Sequence, residues 1–219
     1  MTKSRKHAGC RSGRLTIIGV DFDNTIASYD QVLFELALKR GLIETRALRG
    51  KRAIRDAVRL LPNGEKEWQS LQAEIYGPAM GRAVLIPGVK DFVIKCKLYR
   101  IPIHIISHKT EYANYDQTGT SLRNAAMQWL ELQGFLGGKE WSISTKQVHF
   151  KSTREAKVEA IKSLGCTHFV DDLVELYEES NFPQEIVKIL YTPEGVMSNQ
   201  ITCTQAETWN EITRLIFGE

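Results

Sequence analysis

Four short runs of apolar residues predict the buried strands of this chain. They cover 15–22, 101–106, 167–170 and 186–191. Strands of a parallel sheet are covered on both faces, so they read as continuous apolar runs instead of alternating ones. The first and third runs end directly in acidic residues. The pattern therefore predicts four parallel strands, two of which carry acids at their carboxyl ends.

Stretches with helical features lie between these runs. One helix is predicted to begin at Pro87, and others cover 121–133, 153–164 and 205–217. Pro suits a first helical turn, Ser152 or Thr153 can cap the third helix, and Gly134 and Gly165 can end the second and third. Alternating strands and helices predict an α/β fold with a doubly wound, parallel, Rossmann-like sheet and right-handed crossovers.

Residues 28–83 interrupt this alternation, because they contain no strand-like run. Helical periodicity of apolar residues predicts three helices there, near 30–40, 46–60 and 65–76. We therefore predict a flexible tail at 1–14, an α/β core formed by 15–27 and 84–219, and a small all-helical cap inserted at 28–83.

The charge distribution sets the tail apart from the rest of the chain. The 219 residues carry a formal net charge of +3, but the first 14 contain five basic residues and no acid. The remaining 24 basic residues face 26 acidic ones. The tail is interpreted as a solvated segment, and the alternative is an arm that contacts nucleic acid or another polyanion.

The sequence also favours a cytoplasmic protein without a membrane span. No apolar run approaches 18 residues, and the short run after the tail is unlike a signal peptide. The four cysteines have neither CxxC nor zinc-site spacing, so they are interpreted as reduced thiols, although their even number also permits a disulfide. The oligomeric state cannot be read from this pattern.

Acids at two strand ends form the first candidate for chemistry. Asp21 and Asp23 follow the first strand, and Asp171 and Asp172 follow the third. Ligands of open α/β sheets bind at the carboxyl edge of the strands. Four acids at that edge predict an oxygen-rich site for a hard divalent cation, Mg²⁺ above all. The alternative for each pair is a polar strand end in which the acids cap helices.

A hydroxyl and a lysine add a candidate phosphate site. Ser107 ends the second strand, and Lys157 lies in the helix before the Asp171-Asp172 strand. A hydroxyl and an ammonium group can both hold phosphoryl oxygens, but each residue alone is an ordinary strand-end or surface residue. Lys151 is the alternative lysine for this role.

In this order the motifs resemble the haloacid dehalogenase-like hydrolase superfamily over 15–192, within its phosphatase branch with a small helical cap after the first motif. The motifs are Asp21-Phe-Asp23-Asn-Thr25, Ile-Ile-Ser107, Lys157 and Phe-Val-Asp171-Asp172, and Leu-Ile-Pro-Gly-Val89 is similar to the family's return from cap to core. Many members have Gly where this chain has Asn24, a residue that tolerates left-handed backbone.

The resemblance implies a phosphomonoester hydrolase that acts on a small phosphorylated metabolite. Asp21 would be the nucleophile and Asp23 the acid/base. Mg²⁺ would be bound by Asp21, the Asp23 carbonyl and Asp172, with Asp171 behind Asp172. Ser107, Lys157, Thr25 and Asn24 would form the phosphate-binding set, in which Thr25 would hold the loop geometry. An acid at position 23 favours phosphate transfer over dehalogenation.

The alternatives are a phosphomutase, which would use the same motifs, a non-catalytic binding module, and a nucleic-acid end-processing phosphatase guided by the tail. Basic residues crowd 39–59, and Arg52, Arg55 and Arg59 share a helix face. They are interpreted as a solvated face, or as a grip on a second anionic group of the substrate. The candidates for substrate specificity are Arg49, Arg52, Tyr76, His108 and Lys109.

Overall fold

The structure is a computed structural model that describes residues 15–44, 50–116, 118–195 and 203–218. Its strands, in chain order, are β1 (Ile18–Val20), β2 (Ala27–Ser28), β3 (Val84–Leu85), β4 (Ile103–His108), β5 (Val148–Lys151), β6 (His168–Asp171), β7 (Val187–Tyr191) and β8 (Thr204–Ala206). Six of them form one parallel sheet in the order β5-β4-β1-β6-β7-β8, and β2 pairs antiparallel with β3.

The α-helices are α1 (Asp30–Lys39), α2 (Gly50–Arg59), α3 (Gly64–Tyr76), α4 (Val89–Leu98), α5 (Leu122–Leu132), α6 (Arg154–Ser163), α7 (Val174–Tyr177) and α8 (Trp209–Phe217). Two short 3-10 helices cover Met80–Arg82 and Thr145–Gln147. In the described part of the chain, no helix is long and apolar enough to cross a membrane.

Apolar side chains on both faces of the sheet hold these layers together. Ile105 of β4 belongs to a large core cluster that also contains buried residues of α1 to α5 and α8. Its neighbour Ile106 belongs to a second cluster with buried residues of α6 and α7. Successive side chains of a strand point to opposite faces, so β4 contributes to both cores. The doubly wound parallel α/β fold is therefore confirmed.

The four predicted strands overlap with β1, β4, β6 and β7 of the structure. The structure adds β5 and β8 at the two edges of the sheet. The prediction of a helix from Gln205 is wrong in its first turn. Residues 204–206 pair with β7 as strand β8, and α8 begins at Trp209, after Thr208 caps it by accepting a hydrogen bond from the Glu211 amide.

The predicted insertion corresponds to α1, α2, α3 and the first 3-10 helix, which lie between β2 and β3. Buried apolar residues of all three helices join the larger core cluster. The antiparallel pairing of β2 with β3 brings together the two points at which the helical segment leaves the α/β core and re-enters it. The basic tail at 1–14 lies outside the described residues.

Candidate functional site

The Asp21–Thr25 loop leaves the carboxyl end of β1 in the middle of the sheet. The Asp21 amide donates to the carbonyl of Val170 in β6, 2.8 Å away, so the first acid lies beside the next strand. Asn24 has a φ of 60°, the left-handed conformation expected for this residue, and its amide donates to the carbonyl of Ala27. The chain therefore turns within the motif, as convergence of Asp21 and Asp23 requires.

A tryptophan of α8 holds this loop through a hydrogen bond to its backbone. The indole Nε1 of Trp209 donates to the carbonyl oxygen of Thr25 at 2.9 Å, and both residues are buried. Gly88 has a φ of +87°, and a Cβ atom there would lie 2.8 Å from Cβ of Trp209. The glycine of the predicted return segment therefore permits the close approach of the helix that holds the loop. The Thr25 hydroxyl and the Asn24 Nδ2 atom are buried without a hydrogen-bond partner, and neither residue lines the cavity described below.

Lys157 of α6 joins two of the acids. Its Nζ atom donates to Oδ1 of Asp21 at 2.5 Å and to Oδ2 of Asp171 at 2.6 Å. All three side chains are buried. The two carboxylates raise the pKa of Lys157 and so keep it charged, although burial acts in the opposite direction. The other oxygen of Asp171 accepts the Leu173 amide. Lys151, the alternative lysine, is a half-buried residue of β5 and does not line the cavity.

Asp23 has two partners of its own. The Nζ atom of Lys109 lies 3.0 Å from Oδ1 and 2.9 Å from Oδ2 of this carboxylate. The hydroxyl of Tyr29 donates to Oδ1 at 2.5 Å. Lys109 and Tyr29 are almost fully buried, whereas Asp23 keeps partial exposure toward the cavity. The sequence placed Lys109 near the site but gave no sign of this ion pair.

Asp172 faces a lysine from the helical segment. Nζ of Lys51, in α2, lies 4.0 Å from Oδ2 of Asp172. Burial raises the pKa of Asp172 to about 8, and Lys51 opposes that rise. Burial likewise raises the pKa of Asp21 to about 7, against the opposing effect of Lys157, and the nearby charge of Asp171 adds to the rise. For both acids, burial therefore disfavours the ionised form more than the neighbouring lysines favour it.

These side chains meet in one cavity of about 410 Å³. The core contributes Asp21, Asp23, Ser107, Lys157 and Asp172, and the helical segment contributes Lys51, Glu65, Gln69, Gln72 and Tyr76. His108, Lys109 and Thr110, which follow Ser107, complete one wall together with Ala113, Asn114, Leu122 and Leu173. Ser107 is buried at the end of β4. The strand ends and the inserted helices thus enclose a single polar site.

The candidate specificity residues separate into two groups. Tyr76, His108 and Lys109 line the cavity. Arg52 is exposed and is not among the lining residues, and Arg55 and Arg59 pair with Asp56 and Glu65. Arg49 lies outside the described residues.

Lys51, and not its neighbour Arg52, lines the cavity. Lys51 comes three residues before Ile54 and seven before Val58, both fully buried. It therefore shares the inward stripe of α2, which is the sequence signal that could have identified it.

Three carboxylates lie close enough together that they could hold a metal ion. Ligand atoms of Asp21, Asp171 and Asp172 all lie within 4.8 Å of one another. Oxygen-only donors suit Mg²⁺, and the raised pKa values of Asp21 and Asp172 mark a deficit of positive charge that a divalent cation would relieve. The residues present therefore fit such an ion.

Comparison with known proteins shows similarity in fold. No protein-family model matches the sequence, and neither does any curated protein. Solved structures do match. One is a haloacid dehalogenase (HAD) family hydrolase from Deinococcus radiodurans with bound phosphate and sodium, at 12% identity over 93% of this chain and 96% of that one, with a TM-score of 0.57.

Two further structures show the range of chemistry on this fold. A HAD phosphatase from Thermococcus onnurineus has a TM-score of 0.52 and 14% identity over 93% of this chain and 98% of that one. An L-2-haloacid dehalogenase has a TM-score of 0.51 and 12% identity over 93% and 99%. The fold of this chain is therefore the one expected from its motifs, that of HAD-superfamily hydrolases.

Proposed function

We propose that this chain, which has the fold of HAD-superfamily hydrolases, is a member of that superfamily and a Mg²⁺-dependent phosphomonoesterase. Its substrate is a small phosphorylated metabolite, and the reaction passes through a phosphoryl group on Asp21. The observation that carries the proposal is the convergence of Asp21, Asp23, Ser107 and Lys157 on one cavity. A nucleophile, an acid/base and two phosphate ligands then lie within reach of one phosphoryl group.

The first step transfers the phosphoryl group to the protein. A carboxylate oxygen of Asp21 attacks phosphorus, the bond from phosphorus to the ester oxygen breaks, and Asp23 gives its proton to the departing alkoxide. Lys157 and Ser107 hold the phosphoryl oxygens, where charge builds up in the transition state. Asp21, Asp172 and the Asp23 carbonyl would hold Mg²⁺, which would offset the negative charge of the phosphoryl oxygens and of the acids around them.

The second step releases inorganic phosphate. Asp23, now a carboxylate, takes a proton from water, and the water oxygen attacks phosphorus. The bond from phosphorus to Asp21 breaks, which restores both acids to their starting states. One residue thus serves both steps, first as acid and then as base.

Asp23 supports phosphate chemistry over dehalogenation. A halide leaves without a proton, so a dehalogenase has no use for an acid beside its nucleophile. Here that acid faces the cavity with Lys109 and Tyr29 bound to it. The solved structure with bound phosphate also supports phosphate chemistry, since a protein of this fold can hold that ion.

The helical segment is proposed to act as the cap. Its residues Lys51, Gln69, Gln72 and Tyr76 form a wall of the cavity opposite the strand ends. A cover of this kind excludes water during the first step and contacts the leaving group, so it sets substrate preference. We propose a cytoplasmic setting and small-molecule substrates, with nucleic-acid contact through the tail as the alternative.

Phosphate release from a panel of phosphomonoesters tests this function. Wild type, Asp21→Asn and Asp56→Asn are compared with Mg²⁺ and with a chelator. The exposed Asp56 is the matched control for loss of one carboxylate. We expect Mg²⁺-dependent release by wild type and Asp56→Asn and none by Asp21→Asn.

Other outcomes would redirect the assignment. Chloride release from a 2-chloroacid, without ester hydrolysis, would replace it by dehalogenation. Transfer of phosphate between positions of a sugar phosphate would replace it by a mutase. A folded protein that binds Mg²⁺ but transforms none of these compounds would overturn it in favour of a binding module.

A further inference from the structure

We propose that Lys109 and Tyr29 are positioning residues that hold the Asp23 carboxylate in place for proton transfer. The proposal rests on the proposed function, because it assigns a role within that reaction. Lys109 comes two positions after Ser107, and its Nζ atom contacts both oxygens of Asp23, at 3.0 and 2.9 Å. Lys109 is only 3% exposed, so its charge depends on this partner for compensation.

The surroundings of Lys109 fix it in this position. Its amide donates to the carbonyl of Lys151 at 2.8 Å, and its carbonyl accepts the Arg123 Nε at 3.0 Å. The ammonium group lies 4.8 Å from the centre of the Tyr76 ring and 5.5 Å from that of Phe22. Aromatic faces at these distances attract a cation without competing for its hydrogen bonds. Backbone and side chain are therefore both held, with the charge directed at Asp23.

Tyr29 provides the second restraint from another part of the fold. It directly precedes α1, at the start of the helical segment, and its hydroxyl donates to Oδ1 of Asp23 at 2.5 Å. The hydroxyl oxygen of Tyr29 also lies 3.2 Å from the sulfur of Met80, which is a much weaker acceptor than a carboxylate. Asp23 is thus held from β4 through Lys109 and from the helical segment through Tyr29.

The two oxygens of Asp23 are consequently different. Oδ1 accepts from both Tyr29 and Lys109, whereas Oδ2 accepts from Lys109. Among the described contacts, Oδ2 therefore keeps more acceptor capacity toward the cavity. We assign proton transfer to Oδ2. The contacts hold Asp23 in its carboxylate form, in which it is the base of the second step. Because Oδ1 has two donors and Oδ2 has one, the carboxylate presents Oδ2 to the attacking water without rotating, which lowers the entropic cost of that step.

This role differs from the substrate contact that the sequence suggested for Lys109. A lysine that acts through Asp23 should lose its effect once Asp23 cannot transfer protons. A lysine that binds substrate should keep its effect. A double-mutant cycle separates the two roles.

The cycle uses Lys109→Met, Asp23→Asn and the double variant, with β-glycerol phosphate as substrate at saturating Mg²⁺. We expect Lys109→Met to lower kcat by about 10- to 100-fold with KM changed less than about twofold, because misplacing the proton-transfer group loses only part of its contribution of about 10²- to 10⁴-fold. In the Asp23→Asn background, Lys109→Met should change kcat by less than about twofold. Equal losses in both backgrounds, or a loss that falls on KM, would overturn the proposal.

A second cycle guards against a folding failure of Lys109→Met. Tyr29→Phe removes one hydroxyl and keeps the ring, so it perturbs the core little. Its smaller loss of kcat should also vanish in the Asp23→Asn background, and persistence there would contradict the role given to Tyr29.

Urea unfolding of the same four proteins of the first cycle separates this proposal from the proposed function. The stability losses of Lys109→Met and Asp23→Asn should be strongly non-additive, whatever the substrate, because the two groups form one buried ion pair. Additive losses would show that the pair is absent and overturn the inference alone. If the stability losses of the variants are non-additive but the wild type hydrolyses no ester, the proposed function is overturned and, with it, the role of Lys109 in proton transfer.

Discussion

Nζ of Lys51 lies 4.0 Å from Oδ2 of Asp172, so a lysine of the inserted helices faces an acid at the end of a core strand. The two groups belong to parts of the fold that are separated by more than 100 residues. The contact places a positive charge beside the three carboxylates that fit a metal ion. Lys51 and a divalent cation therefore repel each other across Asp172.

Lys51→Met should consequently bind Mg²⁺ more tightly, by a factor of several. The attraction between Lys51 and Asp172 is present with and without the ion, so at a pH high enough to ionise Asp172 in both proteins only the repulsion between Lys51 and Mg²⁺ changes the affinity. Titration calorimetry on the apo protein measures the change. Arg52→Met, one position along the helix and exposed, is the control, and its affinity should change much less. Weaker binding by Lys51→Met would mean that Lys51 supports the metal site.

The effect of Mg²⁺ on thermal stability should increase with pH. Burial raises the pKa of Asp21 to about 7 and of Asp172 to about 8, whereas both titrate near 4 in an unfolded chain. In the metal-free protein the folded state therefore holds protons that the unfolded state has released. The stability that these two acids contribute is present at low pH and lost between about pH 4 and pH 8.

Bound Mg²⁺ favours the ionised acids and removes this loss. The rise in Tm on adding Mg²⁺ should accordingly be larger at pH 8 than at pH 5.5, by about 5 °C. His104, His149 and His168 have lowered pKa values and give the opposite slope, but with and without metal alike. The difference between the Tm with and without Mg²⁺ therefore reports on the acids alone. Asp172→Asn should reduce the pH dependence of this difference, and a wild-type difference that does not change with pH would contradict the assignment.

Lys157→Met should be both unstable and inactive. It leaves Asp21 and Asp171 without their shared counter-charge in a buried site, which costs about 3 kcal/mol or more of unfolding free energy. Urea unfolding and phosphate release measure the two losses. Lys151→Met is the matched control, because Lys151 is the other lysine in reach by sequence and lies outside the cavity lining. A larger loss of activity in Lys151→Met would transfer the phosphate-binding role to Lys151.

Trp209→Phe should slow the reaction from a distance. The variant loses the hydrogen bond from Nε1 to the Thr25 carbonyl and should cost about 1–2 kcal/mol of stability. It also releases the loop that carries both acids, so we expect kcat to fall more than KM rises. Tyr177→Phe loses buried hydrogen bonds to carbonyls of β6 and β7 instead. It should lower Tm similarly and spare kcat, and equal losses of kcat would argue against a specific tie to the loop.

The sequence revealed the centre of the sheet better than its edges. Strands β1, β4, β6 and β7 are apolar because helices or neighbouring strands cover them. At one edge, β5 contains His149 and Lys151 between its apolar residues, and such a mixed run resembles a loop. At the other edge, residues 204–206 have no strong strand signal, and their pairing with β7 is decided by tertiary contacts.

The site could be predicted as far as strand ends determine it. Parallel strands deliver Asp21, Ser107 and Asp171 to one edge of the sheet, so their order in the chain was sufficient. The left-handed φ of Asn24 also followed from its residue type. The contacts of Lys51, Lys109 and Tyr29 depend on how the helical segment packs on that edge. Motif spacing contains no information about that packing, although the spacing of Lys51 from the buried Ile54 and Val58 places it on the inward face of α2.

The hydrogen bond from Trp209 to Thr25 also orders events during synthesis. The two residues are 184 positions apart. A growing chain can pair β1 with β4 and β6 before α8 has left the ribosome, but the Asp21–Thr25 loop then lacks the indole that binds it. The central strands can thus pair before this loop is held in place. If the loop acts as proposed, nascent chains that have not yet released α8 are expected to be partly folded but inactive.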